Sequence, residues 1–132
     1  MKILDSDHCV ALLRGTLDLT DYVQPDEELA ITAMSVGELV HGAYKSARAA
    51  DNLSRLDVLL SALSILPFDD LAAYQFGWLK AYLEQQGQPM SDLDLQIVSI
   101  SISQKAPLVT HNTAHFERLV PIASLQIEDW LQ

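Results

Sequence analysis

MKILDSDHCV, residues 1–10, runs an apolar stretch straight into a carboxylate at Asp5, with a second one two positions on at Asp7. Ile3 and Leu4, with the aliphatic stem of Lys2, suffice for a short buried strand over 2–5. A strand that stops at an acid is either a turn or the rim of an acidic site. HCVALLR (8–14) then has helical spacing and ends at Gly15, a residue suited to a helix C-cap.

The alternation of strand and helix continues outward from that start. TLDLTDYVQ (16–24) reads as a second short helix closed by Pro25, and LAITA (29–33) as a strand. SVGELVHGAYKSARAA (35–50) and NLSRLDVLLSAL (52–63) space their apolar residues at helical intervals. SILPF (64–68) is a strand, after which Asp69 caps an amphipathic helix over 70–86 that Gly87 and Pro89 stop. PLV (107–109) and SLQIE (124–128) are buried-strand fragments. LDLQIVSISIS (93–103) fits two descriptions. Its alternating Ile and Ser suggest a strand, yet as a helix N-capped at Ser91-Asp92 it is apolar nearly all round and suits the middle of a domain. Periodicity leaves both open. Strands separated by helices predict an α/β fold around a mostly parallel sheet, as one domain over 1–132.

The composition narrows the function. Eighteen acids against eight Lys and Arg give a net charge of −10, which repels phosphate backbones over most of the surface. Nucleic acid would have to be held locally, through metal ions bound by the acids. The single cysteine, Cys9, cannot form an internal disulfide, and the early Asp5 breaks any signal-peptide apolar region. No uncharged apolar run approaches the roughly 20 residues of a membrane span. These features predict a soluble cytoplasmic protein with no membrane partner.

In parallel α/β folds, ligands collect beyond the carboxyl ends of the strands. Asp5 ends the first strand, Glu38 lies just past LAITA, Asp94 opens the 93–103 segment, and Asn112 follows PLV. Such oxygen donors suit a hard cation, Mg²⁺ or Mn²⁺, which can activate water for phosphodiester cleavage. Each residue also has a duller account. Asp5 and Asp7 can be turn and cap residues, Glu38 a solvated helix residue, Asp92 and Asp94 can serve a helix N-terminus, and Asn112 can be a turn residue. Their joint placement favours the site. His111 and His115 are spaced i, i+4, but no third zinc ligand accompanies them, and Cys9 beside His8 reads as helix packing.

The order of ILDSDH, SVGELVHGAYKSAR, NLSRLDVLL, ILPFD, GQPMSDLDLQI, LVTHNTAHFERL and IEDW closely resembles the VapC-type toxins of the PIN-domain family over nearly the whole chain. The resemblance implies an α/β/α sandwich and a Mg²⁺- or Mn²⁺-dependent endoribonuclease. It also implies a homodimer held inactive by a small antitoxin protein. It assigns Asp5, Glu38 and Asp94 to the metal, makes Asn112 a catalytic-site residue, and makes 93–103 a helix. Ser6 stands where relatives carry Thr and could contact Asp5 or a water, while Asp92 could support the site. Near Glu38, His41, Lys45 and Arg48 are the candidate RNA phosphate contacts, although a solvated helix face explains them equally well. Two other readings compete. One is a PIN-like binding module with a decayed site, which Asn112 keeps open. The other is a phosphatase that uses the Asp5-Ser6-Asp7 motif, which lacks the expected residue at Cys9.

Overall fold

The structure, a computed structural model, describes residues 1–131. Strand β1 (Lys2–Leu4) leads into helix α1 (Ser6–Arg14), and β2 (Leu29–Thr32) into α2 (Ala33–Lys45) and α3 (Ala49–Ser61). β3 (Ser64–Leu66) is followed by α4 (Asp70–Gln85) and α5 (Asp92–Gln104). β4 (Leu108–Val109) precedes the short helices α6 (Thr113–Phe116) and α7 (Val120–Ala123), and β5 (Ile127–Glu128) closes the sheet. The strand order is β3-β2-β1-β4-β5, with every pairing parallel.

The two-residue period of the strands sorts the core. Ile3, Ala30 and Leu108 join one cluster with Leu79 and Leu83 of α4 and Leu95 and Val98 of α5. Leu4, Ile31 and Val109, the next residues along, join the other with Cys9, Leu12, Leu39 and Leu59 of α1–α3. Successive side chains point to opposite faces, and both faces are covered. The result is an α/β/α sandwich around a parallel sheet, as the sequence predicts.

The ambiguous 93–103 segment is helix α5, and its serines explain why. Ser99 and Ser101 are buried, and their hydroxyls donate to the carbonyls of Leu95 and Ala106, each at 2.6 Å. The hydroxyl of Ser103 donates to Ile100 at 3.0 Å. Each polar group is satisfied locally, so a helix apolar nearly all round can sit inside the domain. Ser91 caps it by accepting from the Asp94 N–H at 3.2 Å.

Some boundaries differ from the sequence reading. The predicted helix over 16–24 is a single 3₁₀ turn, Leu19–Asp21, where Asp18 accepts from both the Thr20 N–H and its hydroxyl. The predicted 35–50 helix ends at Lys45, because Ser46 turns its N–H and hydroxyl back onto the Ala43 carbonyl. The strand over 64–68 stops at Leu66, before Pro67, which has no N–H to offer a ladder. Gly15 closes α1 at φ +72°, in the left-handed region. Gly15→Ala is therefore expected to cost about 1 kcal/mol, read as a lower urea midpoint with unchanged slope. An unshifted midpoint would contradict the cap assignment.

Candidate active site

β1 and β4 are neighbours at the middle of the sheet, and their carboxyl ends carry the first residues of the site. The Asp5 N–H donates to the Val109 carbonyl at 2.8 Å, locking the exit of β1 to that of β4. Asp5 is also the N-cap of α1: its Oδ1 accepts from the Ser6 N–H at 2.9 Å. Its Oδ2 accepts from the hydroxyl of Thr110, a buried residue just past β4, at 2.8 Å. Asp5 is thus a helix cap and the rim of an acidic site at once.

Three further carboxylates share that rim. Asp94, in the first turn of α5, accepts at Oδ2 from the Ser91 hydroxyl at 2.8 Å and from His115 Nε2 at 2.9 Å. Glu38 projects from α2, which packs against α1 and α5. Asp7 lies in the first turn of α1. Burial pushes the Asp5 carboxyl above its ordinary value, and the charges of Asp7 and Asp94 add to this against the Thr110 and Ser6 hydrogen bonds. Burial also raises Glu38, helped by the charges of Asp5, Asp94 and Asp7. Four acids thus feel one another at a single sheet edge, an arrangement that a cation would relieve.

The predicted residues separate into two groups. Asp5, Glu38 and Asp94, from three elements far apart in sequence, lie near enough for their charges to act on one another. Ser6 opens α1 beside Asp5. Asp92 instead pairs with Lys80 of α4 at 2.9 Å and is absent from the charges acting on Asp5 and Glu38. Asn112 is exposed; its N–H donates to Thr110 Oγ1 at 3.1 Å, and its side chain makes no cap to α6. His41, Lys45 and Arg48 are exposed on and after α2. His111 and His115 do not share a ligand. His111 Nδ1 donates to Asp129 at 2.9 Å, whereas His115 serves Asp94.

Sequence reasoning missed the supports. Asp7 is no simple turn residue: it accepts from His8 Nδ1 at 2.7 Å and from the His111 N–H at 2.9 Å. Despite partial burial, these bonds hold its carboxyl below the ordinary value. His8 is fully buried, and its Nε2 accepts from the Trp130 N–H at 3.0 Å, which places the ring proton on Nδ1. Thr110 is visible in the sequence only as a member of the LVTHNTAHF run, and His115 only as half of an i, i+4 histidine pair, not as a partner of Asp94. Burial, followed by the charges of Asp5 and Asp7, pushes the Cys9 thiol up to about 12, so Cys9 packs the core and is no nucleophile.

The donor set of Asp5, Glu38 and Asp94 fits a hard divalent ion by chemistry, being all oxygen and carrying excess negative charge. Among the described residues, no three His, Cys, Asp or Glu side chains yet close on one point. The carboxylates of Asp5 and Asp94 are turned to Thr110, Ser6, Ser91 and His115, and Glu38 is exposed on its helix.

Comparison with known proteins identifies the family. The PIN domain model matches residues 2–120. The chain is 33% identical over 132 residues to ribonuclease VapC2 of Rickettsia felis, covering 97% of this chain and 96% of that one. It is 33% identical over 103 residues to the tRNA(fMet)-specific endonuclease VapC of Shigella flexneri, covering 78% and 76%. The crystal structure of VapBC2 from Rickettsia felis, bound to a promoter DNA fragment, superposes with a TM-score of 0.86 at 32% identity, covering 98% of each chain. The chain belongs to the PIN-domain family, and within it to the VapC-type toxins.

Proposed function

We propose that the chain is a metal-dependent endoribonuclease and the toxin of a VapBC-type toxin–antitoxin pair. The observation that carries the reading is that Asp5, Asp94 and Glu38 lie near enough to one another, beyond the carboxyl ends of β1 and β4, for their charges to interact, in a chain whose relatives are named ribonucleases. Asp5, Glu38 and Asp94 would hold Mg²⁺, with Mn²⁺ as the alternative ion. When bound, the ion supplies Lewis-acid polarisation of a phosphate and a more acidic water.

The chain's own residues do the rest. Thr110 and the Ser6 N–H orient Asp5, while Ser91 and His115 orient Asp94. Asn112, on the loop after Thr110, is assigned to orient water or phosphate. The hydrolysis adds water across one P–O bond, leaving a phosphate on one RNA fragment and a hydroxyl on the other. The phosphatase reading loses its footing, because Asp7 is already engaged by His8 and the His111 N–H.

The partners are a small antitoxin and a second copy of this chain. An exposed stripe on α4, Leu71, Tyr74 and Trp78, supports the dimer. Among the described residues, no helix is long and apolar enough to cross a membrane, which is consistent with action in the cytoplasm.

The test is incubation of the antitoxin-free chain with total cellular RNA, with Mg²⁺ or with EDTA. Discrete fragments with Mg²⁺ and none with EDTA are expected, together with a Mg²⁺-dependent rise in melting temperature. A folded chain that shows neither would be a binding module rather than a nuclease.

A further inference from the structure

A groove of about 760 Å³ runs between α1, α2 and α3, and its ends differ in charge. Ser6 and Glu38 line it on the side of the acidic site, and Arg14 and Arg55 line it with them. Ser6 and Arg14 are the two ends of α1, so Arg14 lies about 12 Å along that helix from Ser6. Glu38 is the only acid among the lining residues. In a chain of net charge −10 with eight Lys and Arg, two arginines in one groove make a local reversal of sign. Two of the other cations, Lys2 and Lys80, are already paired with Glu128 and Asp92.

Arg55 reaches the end of α1. Its guanidinium donates to the Leu13 carbonyl, one of the last-turn carbonyls of α1 that the helix itself leaves unpaired. A guanidinium has five donors, so this bond leaves others for a ligand. Gly42 keeps the wall of α2 low: a Cβ built there meets nothing within 4 Å. His41, Lys45 and Arg48 do not line the groove.

We propose that this groove is the RNA channel, and that Arg14 and Arg55 grip backbone phosphates a few nucleotides from the bond cut at Asp5, Glu38 and Asp94. The proposal rests on the ribonuclease reading and adds to it the residues that position the strand. RNA is the occupant because its phosphates recur along the strand. One can sit at the acidic end, through the ion, while others meet the guanidiniums. A chain this acidic has to gather RNA at such a local patch.

The experiment measures binding and cutting separately. Binding of fluorescently labelled bulk tRNA is followed by anisotropy in EDTA, over a range of salt, and cleavage of the same tRNA is followed with Mg²⁺. For the Arg14→Ala/Arg55→Ala double variant, affinity should fall about tenfold or more, and the salt slope should drop by about 1.4, for two phosphates of a single strand. In cleavage, KM should rise by a similar factor with kcat little changed, the signature of lost binding that is uniform between ground and transition states. Gly42→Leu should block the channel and weaken binding by at least as much, while its melting temperature stays equal or rises, since a helix-interior glycine is replaced in open space.

If wild type binds and cuts tRNA and both variants do so with unchanged affinity, KM and salt slope, the channel assignment is overturned and the nuclease reading stands. The channel assignment also falls if the variants keep RNA binding but lose the antitoxin, which would make the groove a protein-docking surface. If wild type neither binds nor cuts RNA, the ribonuclease reading fails and the channel with it.

Discussion

Asp5→Asn is expected to slow RNA cleavage by at least about a thousandfold, roughly 4 kcal/mol of transition-state stabilisation, while making the metal-free protein more stable at neutral pH. The two effects have one cause. Asp5 is a carboxylate held in a partly buried place beside Asp7 and Asp94, and its folded value lies above the ordinary 3.8. A group raised on folding favours the folded state while it is protonated and loses that contribution as pH climbs through the folded value. Asparagine carries no such charge and still offers an oxygen to the Ser6 N–H, so the helix cap survives. The stability gain should be present at neutral pH, shrink as pH falls through the raised value, and vanish below 3.8. Mg²⁺ should raise the melting temperature of wild type and leave that of Asp5→Asn unmoved. A variant that keeps a tenth of the wild-type rate would remove Asp5 from the chemistry.

The largest loss of stability is expected at His8, outside the acidic set. His8→Ala should cost about 3–5 kcal/mol, a large part of the roughly 5–15 kcal/mol that holds a domain of this kind folded. Three losses combine. The fully buried ring leaves a cavity where its edge met Trp130 at 5.9 Å. The Trp130 N–H, which donates to Nε2 at 3.0 Å, is left buried without its acceptor. Asp7 loses the Nδ1 donor at 2.7 Å and keeps only its bonds from β4's exit. Urea unfolding should show a much lower midpoint with little change in slope. A shift worth less than about 1 kcal/mol would mean that the ring is not the tie between α1 and the carboxyl-terminal segment.

The two residues mark the line between what could and could not be read in the sequence. Asp5 was legible because its role is announced locally, as an acid at the end of an apolar strand and the start of a helix. His8 was not. Its partner Trp130 lies 122 positions away, and nothing in HCVALLR distinguishes a histidine that accepts a backbone N–H from one that merely packs. Asp92 and Asp94 make the same point within one helical turn. Both suit the N-terminus of α5, yet one faces Lys80 and the other the acidic site.

The sequence by itself determined the alternation of strands and helices, the caps at Gly15, Asp69 and Ser91, and the positions of the acids at strand exits and in early helix turns. These follow from period, capping chemistry and turn residues, all of which act within a few residues of chain. Periodicity left 93–103 open and the resemblance made it a helix, but the tertiary structure supplies the physical reason: Leu95, Ile97 and Val98 are buried in one cluster with Ile3, Leu79 and Leu108, while the serines of the helix are satisfied locally. Only the tertiary structure decided which acids lie near one another. That depends on β1 and β4 being hydrogen-bonded neighbours although more than a hundred residues separate them. Long-range parallel pairing leaves no local mark in the sequence, because the free energy that fixes it comes from two sheet faces buried at once by helices drawn from distant parts of the chain.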